Sequence, residues 1–307
     1  MMKVFGFTHG GGPSAIQEFE VSAPKPGRDE VLIDVEAIGL NNRERLSREQ
    51  GSFGGPTIPG RDAAGIVVAV GSGDSPFQIG DRVIAHVNES YADQAVAAMS
   101  SAAKLPDTLS ATTAAALVTP GITAYRMVYT FGQIKAGETV IVKGASGGVG
   151  SLAAHLAKQL GATVIDIGSA RNQTLVEKLG VDRFVAYDQV DIADELAASG
   201  DVVLNAAMNG AGGDQDVAMT KPNGRIISVS HRAPALRDGI TFQHTYPGDD
   251  TDHAALPLLV KEAATGQLTI AIDQVLPFTL AGFVAAHEAL DGQHTGRIVI
   301  AKAAKTL

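Results

Sequence analysis

Residues 140–150 read Val-Ile-Val-Lys-Gly-Ala-Ser-Gly-Gly-Val-Gly, an apolar strand that breaks into a glycine-rich turn. A helix follows it, with Leu152, Leu156 and Leu160 repeating along one side. The turn has the spacing G-x-G-x-x-G, with Ala145 in the first glycine place and Gly147 and Gly150 in the other two. Each position has a physical reason. At 147 the missing side chain lets the backbone approach a pyrophosphate, and at 150 it lets helix and strand pack closely. The helix start then offers free N–H groups and a positive dipole end to the anion. Ser146, Gly148 and Val149 complete the cradle. With 35 glycines in 307 residues, such spacing also arises by chance. The strand before it and the helix after it make it a dinucleotide-binding turn.

The surrounding chain supports a doubly wound sheet. Strands expected at Thr139–Lys143, Thr163–Ile167, Phe184–Ala186, Val202–Leu204 and Arg225–Val229 alternate with helices at Val149–Leu160 and Asn172–Leu179. The first hundred or so residues have a different texture. Apolar runs at Val31–Ile38, Ala64–Val70 and Arg82–His86 are punctuated by Pro, Gly and Asp, as in a small barrel or sandwich. Ser110 is expected to cap a helix at Thr112–Val118, and a second helix is expected at Thr123–Phe131. The tail leaves the alternation, with helices at Leu256–Ala264 and Leu280–Leu290, an extended Gln274–Phe278 and a closing strand Arg297–Ala301. The organisation expected is 1–118, 119–260 and 261–307, the last returning to the first domain.

Composition narrows the chemistry. Cysteine is absent, which excludes disulfides, thiolate zinc sites and Cys nucleophiles. A formal net charge of −9 argues against nucleic acid or an anionic membrane as partner. The start of the chain has no basic leader or signal-peptide core, so a cytoplasmic protein is expected. The eight histidines show no tight ligand spacing, and His244, His253, His287 and His294 read as core or surface imidazoles.

The second strand decides which dinucleotide is expected. An NAD site carries an acid at that strand's end, about 20 residues past the turn. Ser169 falls there, followed by Arg171, and a hydroxyl with a guanidinium suits a ribose 2′-phosphate. NADPH is therefore the expected cofactor. Asp166 keeps NAD open, because it would meet the 2′-hydroxyl if the strand ended earlier.

The chain resembles the medium-chain dehydrogenase/reductase superfamily, and its zinc-independent quinone oxidoreductase branch in particular. The blocks that carry the resemblance are Pro59–Gly65, Ile79–Val83, Pro120–Tyr125, Lys135–Val140, Ala145–Gly150, Leu179–Asp182, Lys221–Arg225 and Gly296–Val299, in order through nearly the whole chain. The resemblance implies an α/β protein with a GroES-like β-barrel catalytic domain built from both chain ends. A doubly wound parallel-sheet Rossmann domain is inserted between them, and the substrate and nicotinamide meet in the cleft. It also implies a homodimer. The zinc-dependent members hold their catalytic metal with a Cys and a Gly-His-Glu segment. Here Asn41 stands near the Cys place, and Gly60-Arg61-Asp62 replaces the other segment.

By the same resemblance, Asn41 lies near the nicotinamide and substrate, where its amide donates to a carbonyl oxygen that gains charge. A turn-forming Asn beside Asn42 is the competing reading. Thr123 faces the cofactor, or serves only as a helix cap. Tyr187 lies beside the adenosine 2′-phosphate, or is a core or rim aromatic. Lys143 reads as structural, and Arg43, Glu44 and Arg45 as a charged helix face. Related reductases carry a Tyr before the Pro-Gly segment where this chain has Phe53, which leaves water as the proton source. The activity implied is hydride transfer from NADPH to a small-molecule quinone or α,β-unsaturated carbonyl. A binding protein that holds NADPH with little turnover, as a sensor or structural partner, is the alternative.

Overall fold

The computed structural model describes residues 1–51, 55–246 and 251–303. Two compact units divide the chain: Met1–Thr119 with Asp250–Leu307, and Pro120–Asp249. The return falls at 250 rather than 261, because a helix runs unbroken over Asp252–Ala264 and carries its own buried face into the first unit.

The first unit is mostly antiparallel sheet. Its strands are β1 (Met2–Gly6), β2 (Gln17–Val21), β3 (Glu30–Gly39), β4 (Asp62–Val70), β5 (Arg82–His86), β6 (Gln94–Ala98) and β7 (Ala102–Lys104). Helix α1 (Asn42–Gln50) lies between β3 and β4. β1 and β2 form a separate antiparallel pair. Strands β1, β2, β6 and β7 lack a readable apolar run; β2, Gln-Glu-Phe-Glu-Val, is largely exposed. Inward side chains of β3, including Val31, Ile33 and Val35, pack with Phe5, Phe77, Tyr91 and Phe283 as one core.

Helix α2 (Ala111–Tyr125) starts where the Ser110 hydroxyl accepts from the Thr113 N–H at 3.1 Å, an N-cap bond. It contains Pro120 and continues into a π-helical stretch, Arg126–Phe131. Thr123 therefore lies inside one long helix and does not open a second. Proline suits a helix start, which makes it read as one in sequence; here the helix tolerates it in its interior.

The second unit carries β8 (Thr139–Lys143), α3 (Gly148–Gln159), β9 (Thr163–Gly168), α4 (Gln173–Glu177), β10 (Arg183–Ala186), α5 (Ile192–Glu195), β11 (Gly200–Asn205), α6 (Gly213–Met219), β12 (Thr220–Ser228) and β13 (Thr241–His244). Its sheet is parallel, with order β10-β9-β8-β11-β12-β13. Numbered from β8, that is 3-2-1-4-5-6, the dinucleotide-binding order. Ile141, Ile165, Ile167, Val203 and Ile226 bury one face with Ile192, Leu196 and Val217. Strands covered on both faces read as continuous apolar runs, which is why they were legible.

The chain then returns through α7 (Asp252–Ala264), β14 (Ile272–Pro277), α8 (Leu280–Asp291) and β15 (Arg297–Ala301). The sheet runs β14-β15-β3-β4-β5-β7, with β6 paired to β3. A buried network ties α1 to α8. The Arg48 guanidinium holds Asp291 at 2.8 and 2.9 Å, and His287 lies 3.0 Å from the Tyr91 hydroxyl. Burial, with the nearby Arg48 charge, pushes the His287 imidazole down to about 4. It is a neutral core histidine. Among the described residues no helix is long and apolar enough to cross a membrane.

Candidate functional site

Strand order reverses between β8 and β11, so the carboxyl ends of these two neighbours mark where a dinucleotide sits. The turn after β8 begins with Gly144 at φ +82°, a left-handed conformation that favours glycine. A Cβ there would also lie 3.0 Å from the Ala206 carbonyl after β11. The left-handed turn residue is thus Gly144, one place before the Ala145 that stands in the motif's first glycine position. A Cβ on Gly150 would come 2.2 Å from the Gly144 oxygen, so this glycine is what lets α3 start here. Gly147 is the α3 N-cap, and no side chain caps the helix. A Cβ on it would meet only the Gly144 oxygen, 3.3 Å away. An uncapped helix start whose N-cap carries no side chain fits a pyrophosphate, whose oxygens the first-turn N–H groups of Gly148, Val149 and Gly150 can meet. Ser146 accepts a bond from the Asn172 amide at 3.0 Å, which links the turn to the segment after β9.

Lys143 ends β8 beneath this turn. Its ammonium donates to the carbonyls of Ala211 and Gly212 and to Asp216, at 2.9, 3.0 and 2.7 Å. The Asn205 amide donates to the other Asp216 oxygen at 2.6 Å. All three ammonium protons are used, so the group anchors the loop after β11, as the structural reading of Lys143 expects.

At the end of β9, Ser169 donates to Asp188 at 2.6 Å and the Ala170 N–H donates to the same carboxylate at 2.9 Å. Arg171 is exposed, and Tyr187 is 56% exposed next to Asp188. Asp166 does not reach this end. Strand β9 runs on to Gly168, and Asp166 is 0% exposed in mid-strand. Neither of its carboxyl oxygens has a protein partner among the described residues, and burial pushes the group well above the usual carboxylate range. The NAD alternative built on Asp166 fails on this geometry.

The first unit holds a buried polar cluster. Asn41 caps α1 and is 8% exposed, and its backbone N–H donates to Glu44 at 2.7 Å. The Asn41 amide donates to Asp62 at 3.1 Å, and its oxygen accepts from Arg297 at 2.9 Å. Arg297 also donates to Asp62 at 3.3 Å, and Thr119 donates to the other Asp62 oxygen through its N–H and hydroxyl. Glu44 is only 2% exposed, so α1 does not turn a uniformly solvated charged face outward. One guanidinium serves two carboxyls here. Burial, reinforced by the Asp62 charge, raises Glu44 to about 7. Thr119 and Arg297 were not anticipated. The available signal was a lone charge at the head of each apolar strand, Asp62 in β4 and Arg297 in β15.

The donor set does not fit a zinc ion. An amide and a cation, Asn41 and Arg61, stand at two of the family's ligand places, and Asp62 is saturated by protein donors. Among the described residues no group of three or more His, Cys, Asp or Glu side chains is arranged to hold a metal. Phe53 lies outside the described residues.

Comparison with known proteins places this architecture. The family model for the alcohol dehydrogenase GroES-like domain matches residues 27–130, and that for zinc-binding dehydrogenase matches 148–245. The quinone oxidoreductase of Homo sapiens is 33% identical over 244 residues, 75% of this chain and 73% of that protein. Among solved structures, the quinone oxidoreductase from Coxiella burnetii superposes with a TM-score of 0.85 at 26% identity, covering 98% of this chain and 99% of that one. A mycobacterial quinone oxidoreductase gives 0.85 at 25% identity, covering 98% and 100%. The chain belongs to the medium-chain dehydrogenase/reductase superfamily, in its quinone oxidoreductase-like branch. It is an oxidoreductase of that type.

Proposed function

We propose that this oxidoreductase uses NADPH, without a metal ion, to reduce a small-molecule quinone or α,β-unsaturated carbonyl. The observation that carries the reading is the uncapped start of α3 at the strand switch point, where the N-cap Gly147 places no side chain. When bound there, the reduced nicotinamide supplies the hydride. Ser146, Gly147, Gly148, Val149 and Gly150 hold the pyrophosphate. Thr123 faces the nicotinamide, a role that rests on the family resemblance. Ser169, Arg171 and Tyr187 surround the adenosine ribose and its 2′-phosphate. Asn41 is the catalytic donor: one amide proton is committed to Asp62, and the second has no partner among the described residues. That second N–H meets the acceptor oxygen as it gains negative charge, while Arg297 and Asp62 hold the amide plane. The proton that completes the reduction comes from water. The relatives named quinone oxidoreductase support this acceptor class, and the loss of the zinc ligands disfavours an unactivated alcohol. A cytoplasmic homodimer belongs to the same proposal, and sedimentation of the purified protein tests the assembly.

The deciding experiment follows NADPH consumption against a panel of quinones, enones and aldehydes, with secondary alcohols and NADP⁺ tested in reverse. Quinone or enone turnover unaffected by chelators is expected. Alcohol oxidation faster than any quinone or enone reduction would overturn the proposal. Asn41→Ala is expected to lower kcat more than NADPH affinity, since its contact strengthens only as charge develops.

A further inference from the structure

The end of the second Rossmann strand is where such folds read the 2′ substituent of the adenosine ribose. In this chain two neutral donors stand there, the Ser169 hydroxyl and the Ala170 N–H. Both are already engaged by one carboxylate, Asp188, which comes from the turn after β10. The register fixes this geometry. Ala186 pairs with Gly168, and the Tyr187 N–H donates to the Gly168 carbonyl at 3.1 Å, so the next residue arrives beside Ser169. The Ser169 hydroxyl and then the Ala170 N–H hold Asp188 below the usual carboxylate range, with Arg171 adding its charge. The group is therefore ionised wherever the enzyme is assayed near neutrality.

We propose that Asp188 is the specificity-determining residue for the 2′ position, opposing a 2′-phosphate and accepting a hydrogen bond from a free 2′-hydroxyl. It rests on the dinucleotide reading above and refines it. A 2′-phosphate entering this corner meets a like charge, and it finds the two donors that would serve it turned toward the acid. Arg171 attracts the phosphate and Asp188 repels it, so the wild-type preference for NADPH over NADH is small. An unphosphorylated ribose instead meets the acceptor that NAD sites supply at this place, delivered from β10 rather than from β9.

The test measures dissociation constants for NADPH and NADH by calorimetry with wild type, Asp188→Asn and Asp188→Ala. AMP and adenosine 2′,5′-bisphosphate serve as probes without nicotinamide. Asp188 is exposed, and Asn retains an acceptor for Ser169 while removing the charge, so that variant keeps its fold. Both variants are expected to bind NADPH about tenfold more tightly, the scale of one close like-charge contact in water. NADH binding to Asp188→Ala is expected to weaken a few-fold, the scale of one lost hydrogen bond. This opposite response is one that a merely structural role would not produce. An NADPH-to-NADH affinity ratio unchanged within about twofold in both variants overturns the inference alone. Failure of folded wild type to bind either dinucleotide overturns the cofactor reading, and this inference with it.

Discussion

Glu44 gives the most direct handle on the buried cluster of the first unit. Its carboxyl is moved from an ordinary 4.5 to about 7, because burial and the neighbouring Asp62 charge disfavour its ionised form. A folded-state value above the unfolded one means that the associated stability is fully present below about 4.5. It is lost as pH rises through about 7. The interval corresponds to roughly 3 kcal/mol at 1.36 kcal/mol per pH unit, most of it lost between about pH 5 and pH 8. Glu44→Gln mimics the protonated acid and keeps an acceptor for the Asn41 N–H, so it should remove this dependence. Urea unfolding of wild type and variant at pH 5, 6, 7, 8 and 9 reads it directly. The variant is expected to gain on wild type by about 2–3 kcal/mol from pH 5 to pH 8, and the gain should level off above that. A difference that stays flat across the range would refute the assignment of a neutral Glu44 at low pH. Subtraction removes the titrating groups remote from this cluster, and the coupled Asp62 stays ion-paired with Arg297 in both proteins.

Asp166→Val should stabilise the protein by about 1–3 kcal/mol by removing an unpartnered buried carboxyl, with a larger gain at pH 8 than at pH 5, because the unfolded chain's carboxyl gives up its proton while the buried one, raised by desolvation, holds on to it; thermal unfolding at both values checks it. Lys143→Met leaves Asp216 buried without its cation and should cost about 3–5 kcal/mol in a urea titration. Gly150→Ala drives a Cβ against the Gly144 carbonyl and should cost about 1–3 kcal/mol while weakening NADPH and NADH alike, as read by calorimetry.

What was legible in the sequence follows from how locally each feature is encoded. β8, β9 and β11 are apolar runs because both faces are buried, and the glycine turn announces itself within eleven residues. β13, Thr-Phe-Gln-His at the sheet edge, has half-exposed side chains and no such run. The polar cluster is the opposite case. Asn41 meets Asp62 across 21 residues and Arg297 across 256, and no local pattern encodes that meeting. The end of β9 is a third case. Ser169 and Arg171 stand at the end of β9, and the acid considered in the sequence was Asp166 on that same strand, while the parallel register brings Asp188 beside Ser169 from the turn after β10. A search confined to one strand end cannot see a residue supplied by its neighbour.

Pro120 inside α2 carries a consequence for how the chain is made. Lacking an N–H, it leaves the Ala116 carbonyl without a helical donor, and the Arg297 Nε takes that carbonyl at 3.2 Å while the same guanidinium neutralises Asp62. Arg297 is translated some 180 residues after the helix it completes. The second unit is contiguous and can close while the ribosome is still working. The first unit must wait, its acid unneutralised and its Ala116 carbonyl unbonded, until β15 emerges. Synthesis thus imposes an order on this protein, in which the nucleotide fold is finished first and its host domain last. A ribosome stalled before residue 297 would display a closed Rossmann sheet beside an open, protease-sensitive barrel.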